Sequence, residues 1–464
     1  MVQIVFVLNI TLLIGYNYHS SSKLAELNMR NVVFSLLFIL ACFQSCSAID
    51  TLNFGENISQ DTLVSVGRKF QLGFFSLPIE SGINTTGLKK YLGIWYYNLE
   101  PKTVVWVANR NKPIVDSDGV FQIAHDGNLV VADASHSYWS TKLEASSSRI
   151  KGVKLLDSGN LVLMDDDQGY LWQSFQHPTD TFLPGMKMDI NLTLRSWKNE
   201  NDPGSGSFTF QKAQTGDPRS YRVNNQSQLY WAFDGLNLDK MFNIILYLLE
   251  NTTSFSSYDT VLNRTIKHHS PFNYDKSRLL MNSSGEIQFW KWEDNIRWEK
   301  LSYRPSDKCD IHNYCGNFSS CNKNNLNLCK CLPGFHPRRL SDNDHGYLGQ
   351  HMQGCVRKSS KECVTTTTNN NMIFVNLTKI KVGNPDQGFL SETEADCQSL
   401  CLNTCPCNAY SYNATYNDRS YFSCWIWTRE LPTLQDEQDD GRGFSILVES
   451  SDIGNLYLLN LSYS

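Results

Sequence analysis

No cysteine lies between Cys46 and Cys309, although the 464-residue chain holds 14 of them. Disulfides therefore cannot staple that stretch, and only a hydrophobic core can hold it together. Beyond Ile49 no apolar run reaches the roughly 20 residues that a membrane-spanning helix needs; the longest, Met241 to Leu249, carries Asn243 within it. An excess of one charge is missing too, since 41 Lys and Arg face 46 Asp and Glu for a formal net charge of −5. So balanced a chain has no electrostatic footprint for nucleic acid or for an anionic membrane surface. Catalytic signatures are also lacking. There is no glycine-rich phosphate loop, no His-Arg-Asp, no Asp-Phe-Gly and no nucleophile–base–orienter set. The ten histidines show no metal-ligand spacing, so neither a metal, nor a cofactor, nor enzymatic activity is expected.

Twelve of the 14 cysteines crowd between Cys309 and Cys424, a density at home in small loop-rich modules of an oxidising compartment. The N-terminus agrees. Met29-Arg30-Asn31 is a short positive n-region, Val32 to Phe43 an apolar h-region, and Ser45-Cys46-Ser47-Ala48 offers small residues for cleavage after Ala48. Residues 1–48 read as an N-terminal extension followed by a signal peptide. Eleven Asn-x-Ser/Thr sequons come after it, at Asn57, Asn84, Asn191, Asn225, Asn251, Asn263, Asn282, Asn317, Asn376, Asn413 and Asn460. Behind a signal peptide they indicate a glycosylated chain, secreted or held at the outer face of the plasma membrane.

The cysteine-free half contains a repeat. Asp126-Gly127-Asn128-Leu129-Val130-Val131 returns thirty-two residues later as Ser158-Gly159-Asn160-Leu161-Val162-Leu163. Trp139 and Trp172 follow the two copies at similar distances, and Trp106 stands another thirty-three residues upstream of Trp139. Such a period marks repeated supersecondary units. Asp-Gly and Ser-Gly ahead of alternating apolar residues are hairpin signals. Three Trp-ended sheet units closing on a shared axis would make a prism of strands.

These residues resemble the bulb-type (monocot mannose-binding) lectins. The runs LWQSFQHPTDTFLPGMKM (171–188) and LRSWKNENDPGSGSFTF (194–210) resemble the S-locus glycoprotein signature of plant S-receptor-like kinases. The resemblance covers nearly all of 50–450. It implies a mainly β chain with two consecutive β-prism lectin-like domains, a bulb-type lectin domain at 50–176 and an S-locus glycoprotein domain at 177–304. A small disulfide-rich EGF-like module at 305–355 and a PAN/apple module at 363–449 would follow.

Spacing alone leaves fifteen pairings open for six cysteines. The EGF-like resemblance, carried by the Cys329-x-Cys331-Leu332-Pro333-Gly334-Phe335 turn, implies Cys309–Cys321, Cys315–Cys329 and Cys331–Cys355. No acidic run precedes Cys309 for calcium. The PAN/apple resemblance implies Cys397–Cys424 and Cys401–Cys407, which leaves Cys363 for Cys405. In the lectins, Gln, Asp, Asn, Val and Tyr alternate along one strand to form a mannose pocket. The matching positions are Ala124, Asp126, Asn128, Val130 and Ala132. Candidate sugar-binding residues thus reduce to Asp126, Asn128 and Val130, and weak or no mannose binding is expected. The second copy, Leu156, Ser158, Asn160, Val162 and Met164, keeps less.

By resemblance the chain would be an extracellular recognition glycoprotein of pollen recognition or defence signalling. Its partners would be a small cysteine-rich peptide ligand, and a receptor-like kinase or a second copy of itself. A membrane receptor serine/threonine kinase truncated ahead of its kinase, and a mannose-binding lectin, are the alternatives. The polar, sequon-free loops 341–353 and 431–442 are expected to face partners.

Overall fold

The computed structural model describes residues 49–453 apart from 79–87, 116, 145–149, 168, 215–219, 234–248, 250–253, 260–263, 270–275, 294–296, 339–352, 360–370, 414–422 and 437–441. The signal-peptide reading, the sequons at Asn84, Asn251, Asn263 and Asn460, and Cys363 lie outside the described residues. Strands dominate. The chain divides into two compact units, one of 1–76, 90–104 and 114–174, the other of 77–89, 105–113 and 175–464.

Three four-stranded sheets occupy residues 51–173. The first orders Leu63–Val64, Phe70–Pro78, Leu88–Tyr96 and Val104–Val107. The second orders Asn57–Ile58, Val120–Ile123, Leu129–Ala132 and Ser137–Ser140. The third orders Thr51–Asn53, Ile150–Leu155, Leu161–Asp165 and Tyr170–Gln173. The second and third sheets each take one edge strand from the N-terminal segment 51–58. Leu129 and Val131 are buried while Val130 and Ala132 are half-buried, the alternation of a strand with one face on a core. Gly127 and Gly159 adopt φ of +85° and +87° in tight turns closed by Gly127 N to Ala124 O and Gly159 N to Leu156 O. A side chain is disfavoured at such φ, which is why both copies of the repeat keep glycine there. The Trp139 and Trp172 rings meet edge to face at 5.7 Å.

In the second unit, Thr193–Asn199, Asp202–Lys212, Tyr221–Asn225 and Gln228–Phe233 form one sheet, and Thr181–Phe182, Ser277–Met281, Ile287–Glu293 and Arg297–Arg304 another. Ser254–Asp259 pairs with Arg264–His269 as a hairpin. Phe182, Leu194, Phe210, Val223, Leu279 and Phe289 are fully buried. Downstream, a five-stranded sheet orders Met372–Ile380, Arg442–Glu449, Ala409–Tyr412, Cys424–Trp427 and Gln387–Phe389. Against it lies the helix Glu394–Asn403, capped by Thr393, whose hydroxyl accepts from Asp396 N. Cys397 and Cys401, four apart, point from one helical face into the core, 0% and 1% exposed. No helix among the described residues is long and apolar enough to cross a membrane.

The segment 431–436 departs from expectation. Leu434–Gln435 within it is a strand, and the segment is a clasp rather than a bare loop. Leu434–Gln435 pairs in parallel with Ser319–Cys321, so it extends the cystine-rich hairpin of Ser319–Cys321 and Cys329–Cys331 to three strands. Phe318 N donates to Leu431 O, Asp436 N to Cys321 O, Cys315 N to the Thr433 hydroxyl and Gln435 Nε2 to Cys309 O. The physical reason is accounting of backbone groups. The hairpin edge would otherwise leave its amides and carbonyls unpaired.

Candidate functional site

The strand that would carry a sugar pocket has its polar groups engaged internally. Asn128, 6% exposed, donates from its backbone N to Asp126 Oδ1 at 3.0 Å and from Nδ2 to Asp126 Oδ2 at 3.0 Å. Its Oδ1 accepts from the Thr141 hydroxyl at 2.8 Å and from Leu143 N at 2.7 Å. An amide so placed pins the hairpin turn to the end of the strand beyond it. The Asn128 backbone N–H, then its side chain, hold the Asp126 carboxyl below the usual carboxylate range. Val130 lies half-buried on the same strand. The second copy repeats the device. Asn160 Nδ2 donates to Gln173 Oε1 at 3.0 Å, and its Oδ1 accepts from the Ser174 hydroxyl at 3.2 Å. Gln173 thus supplies the acceptor that Asp126 supplies in the first copy, since Ser158 is too short. Asn128→Ala is expected to cost about 1–3 kcal/mol, the range for leaving buried partners unsatisfied. A denaturant midpoint of the lectin-like unit unchanged by Asn128→Ala would remove this pinning role.

A second constellation was not visible in the residues. Arg110 is buried, and its three guanidinium nitrogens donate to three backbone carbonyls. Nε reaches Pro203 O at 2.7 Å, Nη1 reaches Arg195 O at 3.1 Å and Nη2 reaches Ser196 O at 2.7 Å. Asp180, inside the signature run 171–188, is 5% exposed. Burial pushes its carboxyl up while Arg110 and Arg278 pull it down. Hydroxyls of Thr179 and Thr181 donate to its Oδ1 at 3.1 and 3.4 Å. The arrangement is a structural cross-brace, because the Arg110 guanidinium is spent on backbone carbonyls and both Arg110 and Asp180 are buried.

Five disulfides are placed among the described residues, Cys309–Cys321, Cys315–Cys329, Cys331–Cys355, Cys397–Cys424 and Cys401–Cys407, with Cα separations of 5.4–5.8 Å. Cys405 is also disulfide-bonded. The sulfurs of Cys315, Cys321 and Cys329 lie within 4.8 Å of one another, but all three are oxidised, and a metal needs thiolates. Gly334 of the Leu-Pro-Gly-Phe turn has φ +78°, and a Cβ there would meet Val448 at 2.7 Å.

Among the described sequons, Asn57, Asn191, Asn225, Asn376 and Asn413 are exposed, whereas Asn282 and Asn317 are half-buried. Asn282 Oδ1 accepts from Ser284 N and Glu286 N, each at 3.0 Å, so its side chain closes a hairpin turn. Asn317 differs, since its Nδ2 donates to Glu430 and its Oδ1 accepts from Asn313 Nδ2.

Three families match the chain: D-mannose binding lectin at residues 103–199, S-locus glycoprotein domain at 232–339 and PAN-like domain at 363–434. A G-type lectin S-receptor-like serine/threonine-protein kinase of Arabidopsis thaliana is 40% identical over 440 residues, 91% of this chain and 50% of that kinase. The receptor-like serine/threonine-protein kinase SD1-8 of the same plant is 33% identical over 448 residues, 90% of this chain and 49% of that kinase. The chain spans about half the length of the curated relatives it matches. A solved monomeric monocot mannose-binding lectin from Gastrodia elata covers 27% of this chain and 96% of that chain at 19% identity and a TM-score of 0.19, too low to bear on the fold.

Proposed function

We propose that this chain, which carries a lectin domain, an S-locus glycoprotein domain and a PAN-like domain, is an extracellular glycoprotein module that recognises a protein or peptide partner rather than free mannose. The internal engagement of Asn128 carries the reading. Mannose binding would require the Asn128 amide and the Asp126 carboxylate to turn toward the sugar, and the turn would lose four hydrogen bonds. Each is worth about 0.5–1.5 kcal/mol net, against a monosaccharide contact of only a few kcal/mol at millimolar affinity. A small cysteine-rich peptide is the partner class that the S-locus glycoprotein resemblance supports, with a receptor-like kinase or a second copy as co-receptor.

A glycan array with the secreted chain tests the mannose side. We expect no mannose signal above background. Robust mannose binding that is lost in the Asp126→Ala, Asn128→Ala double variant would overturn the reading and favour the lectin alternative. The other alternative, a receptor kinase ectodomain, is decided by the coding sequence downstream of Ser464. An in-frame membrane span and kinase there would make this chain the recognition half of a receptor.

A further inference from the structure

We infer that the N-glycan of Asn57 is a structural part of the lectin-like unit, its first N-acetylhexosamine ring lying against the exposed phenyl ring of Phe54.

The turn Asn53-Phe54-Gly55-Glu56 joins the strands Thr51–Asn53 and Asn57–Ile58. Glu56 N donates to Asn53 O at 3.1 Å, and Gly55 at the third position has φ +90°, the pattern of a type II turn. The Glu56 carboxylate accepts from Asn53 N at 2.8 Å and from Asn53 Nδ2 at 3.2 Å, so the turn is closed at both ends. Phe54 at its second position is 51% exposed. One edge of its ring rests on His125, with centroids 6.1 Å apart at 65°, and no other ring contact covers it among the described residues.

Asn57 follows three residues later, just after the turn. Three residues span at most about 10–11 Å when extended, and a turn brings them closer. Asn57 is exposed, whereas Ile58 beside it is 2% exposed, so the register of the strand fixes Asn57 outward. Asn57 pairs with Gln122 in the adjacent strand, which keeps its backbone from turning away. A glycan linked to Nδ2 therefore leaves from a rigid base close in sequence to a half-exposed phenyl ring. A pyranose presents axial C–H bonds on one face, and that face is apolar. Covering the ring with it removes apolar surface from water on both partners. Gly55 has no neighbour within 4 Å of where a Cβ would stand, so the turn is open on the side its Cβ would take.

The inference rests on the reading of the chain as an extracellular glycoprotein, and one experiment separates the two. The whole secreted chain would be compared with Asn57→Gln, Phe54→Ala, Phe54→Tyr and the Asn57→Gln, Phe54→Ala double variant. Site occupancy would be read by mass spectrometry and thermal midpoints by calorimetry. We expect Asn57 to be occupied and its loss to lower the midpoint of the lectin-like unit by about 2–4 °C. In the Phe54→Ala background the same loss should have no effect, and Phe54→Tyr should keep the coupling. Nuclear magnetic resonance of the glycosylated chain should show upfield ring-current shifts of the first sugar's axial protons, absent in Phe54→Ala. Equal midpoint losses with and without the phenyl ring, or an empty Asn57 while other sequons are filled, would overturn the inference alone. Empty sequons throughout would instead bring down the extracellular reading on which it rests.

Discussion

Arg110→Ala is expected to destabilise the unit that holds it by about 3–5 kcal/mol, the cost of breaking a buried charge cluster by removing one partner. Two losses combine. The buried carbonyls of Pro203 and Ser196 and the partly buried one of Arg195 lose their donor. Asp180 also loses a cation, and its carboxyl, already pushed up by burial, rises further. The sign of the pH dependence follows. An acid whose folded pKa lies above its unfolded value binds its proton more tightly in the folded state, so it contributes stability at low pH that is lost as pH rises through the folded value. The Arg110→Ala penalty should therefore shrink on acidification. Adding Asp180→Asn removes the unpaired charge and should return part of the lost stability at neutral pH. Denaturant unfolding of the three proteins at neutral and mildly acidic pH checks this. A penalty that grows on acidification, or a double variant weaker than Arg110→Ala, would remove Asp180 from the cluster.

That cluster also marks where reading the residues stopped. The two copies at Asp126-Gly127-Asn128 and Ser158-Gly159-Asn160 announce themselves because glycine at positive φ and an apolar alternation are local and recur at a fixed period. The predominance of strands was legible for the same reason, as was the disulfide-rich C-terminal region from cysteine density. The lectin, S-locus glycoprotein and PAN-like identities followed from long motif runs. Arg110 has no such signature. Its partners are carbonyls 85 to 93 residues away, and a carbonyl is the same atom in every residue. Asp180, inside the signature run 171–188, gives no sign of a charge cluster either, because only the folded chain brings Arg110 and Arg278 to it. Phe54 looked unremarkable for the opposite reason, since an exposed apolar residue acquires meaning only once its turn and the outward Asn57 are seen together. The clasp 431–436 was masked by composition. Leu431 and Leu434 are buried, but two leucines among Pro432, Thr433, Gln435 and Asp436 make no period, and a segment without period reads as a loop.

The clasp has a further consequence for the stapled half, where Phe335→Ala should have the other large effect. An EGF-like module was expected at 305–355 and a PAN/apple module at 363–449. Yet Leu332, Phe335 and Cys355 from the first stretch belong to one buried cluster with Val375, Ile380, Trp427, Phe444 and Val448 from the second. Phe335 is 5% exposed. Its ring stacks on Phe318 at 4.7 Å and carries the Arg357 guanidinium at 4.8 Å. Arg357 in turn donates from Nη1 to Leu447 O at 2.7 Å and from Nη2 to Asn408 Oδ1 at 3.1 Å. Removing a buried phenylalanine ring typically costs about 3–5 kcal/mol, and here the cavity would open between the two stretches. Hydrogen exchange is the discriminating measurement, because separate modules have separate opening free energies. With a shared core, Phe335→Ala should lower amide protection in Ser319–Cys321 and in Arg442–Glu449 by the same free energy. The disulfides would still hold each stretch locally, so the loss should appear as cooperative opening and not as collapse of either cystine framework. Protection lost only in Ser319–Cys321, with Arg442–Glu449 unchanged, would show that the stretches fold apart and that the clasp merely touches.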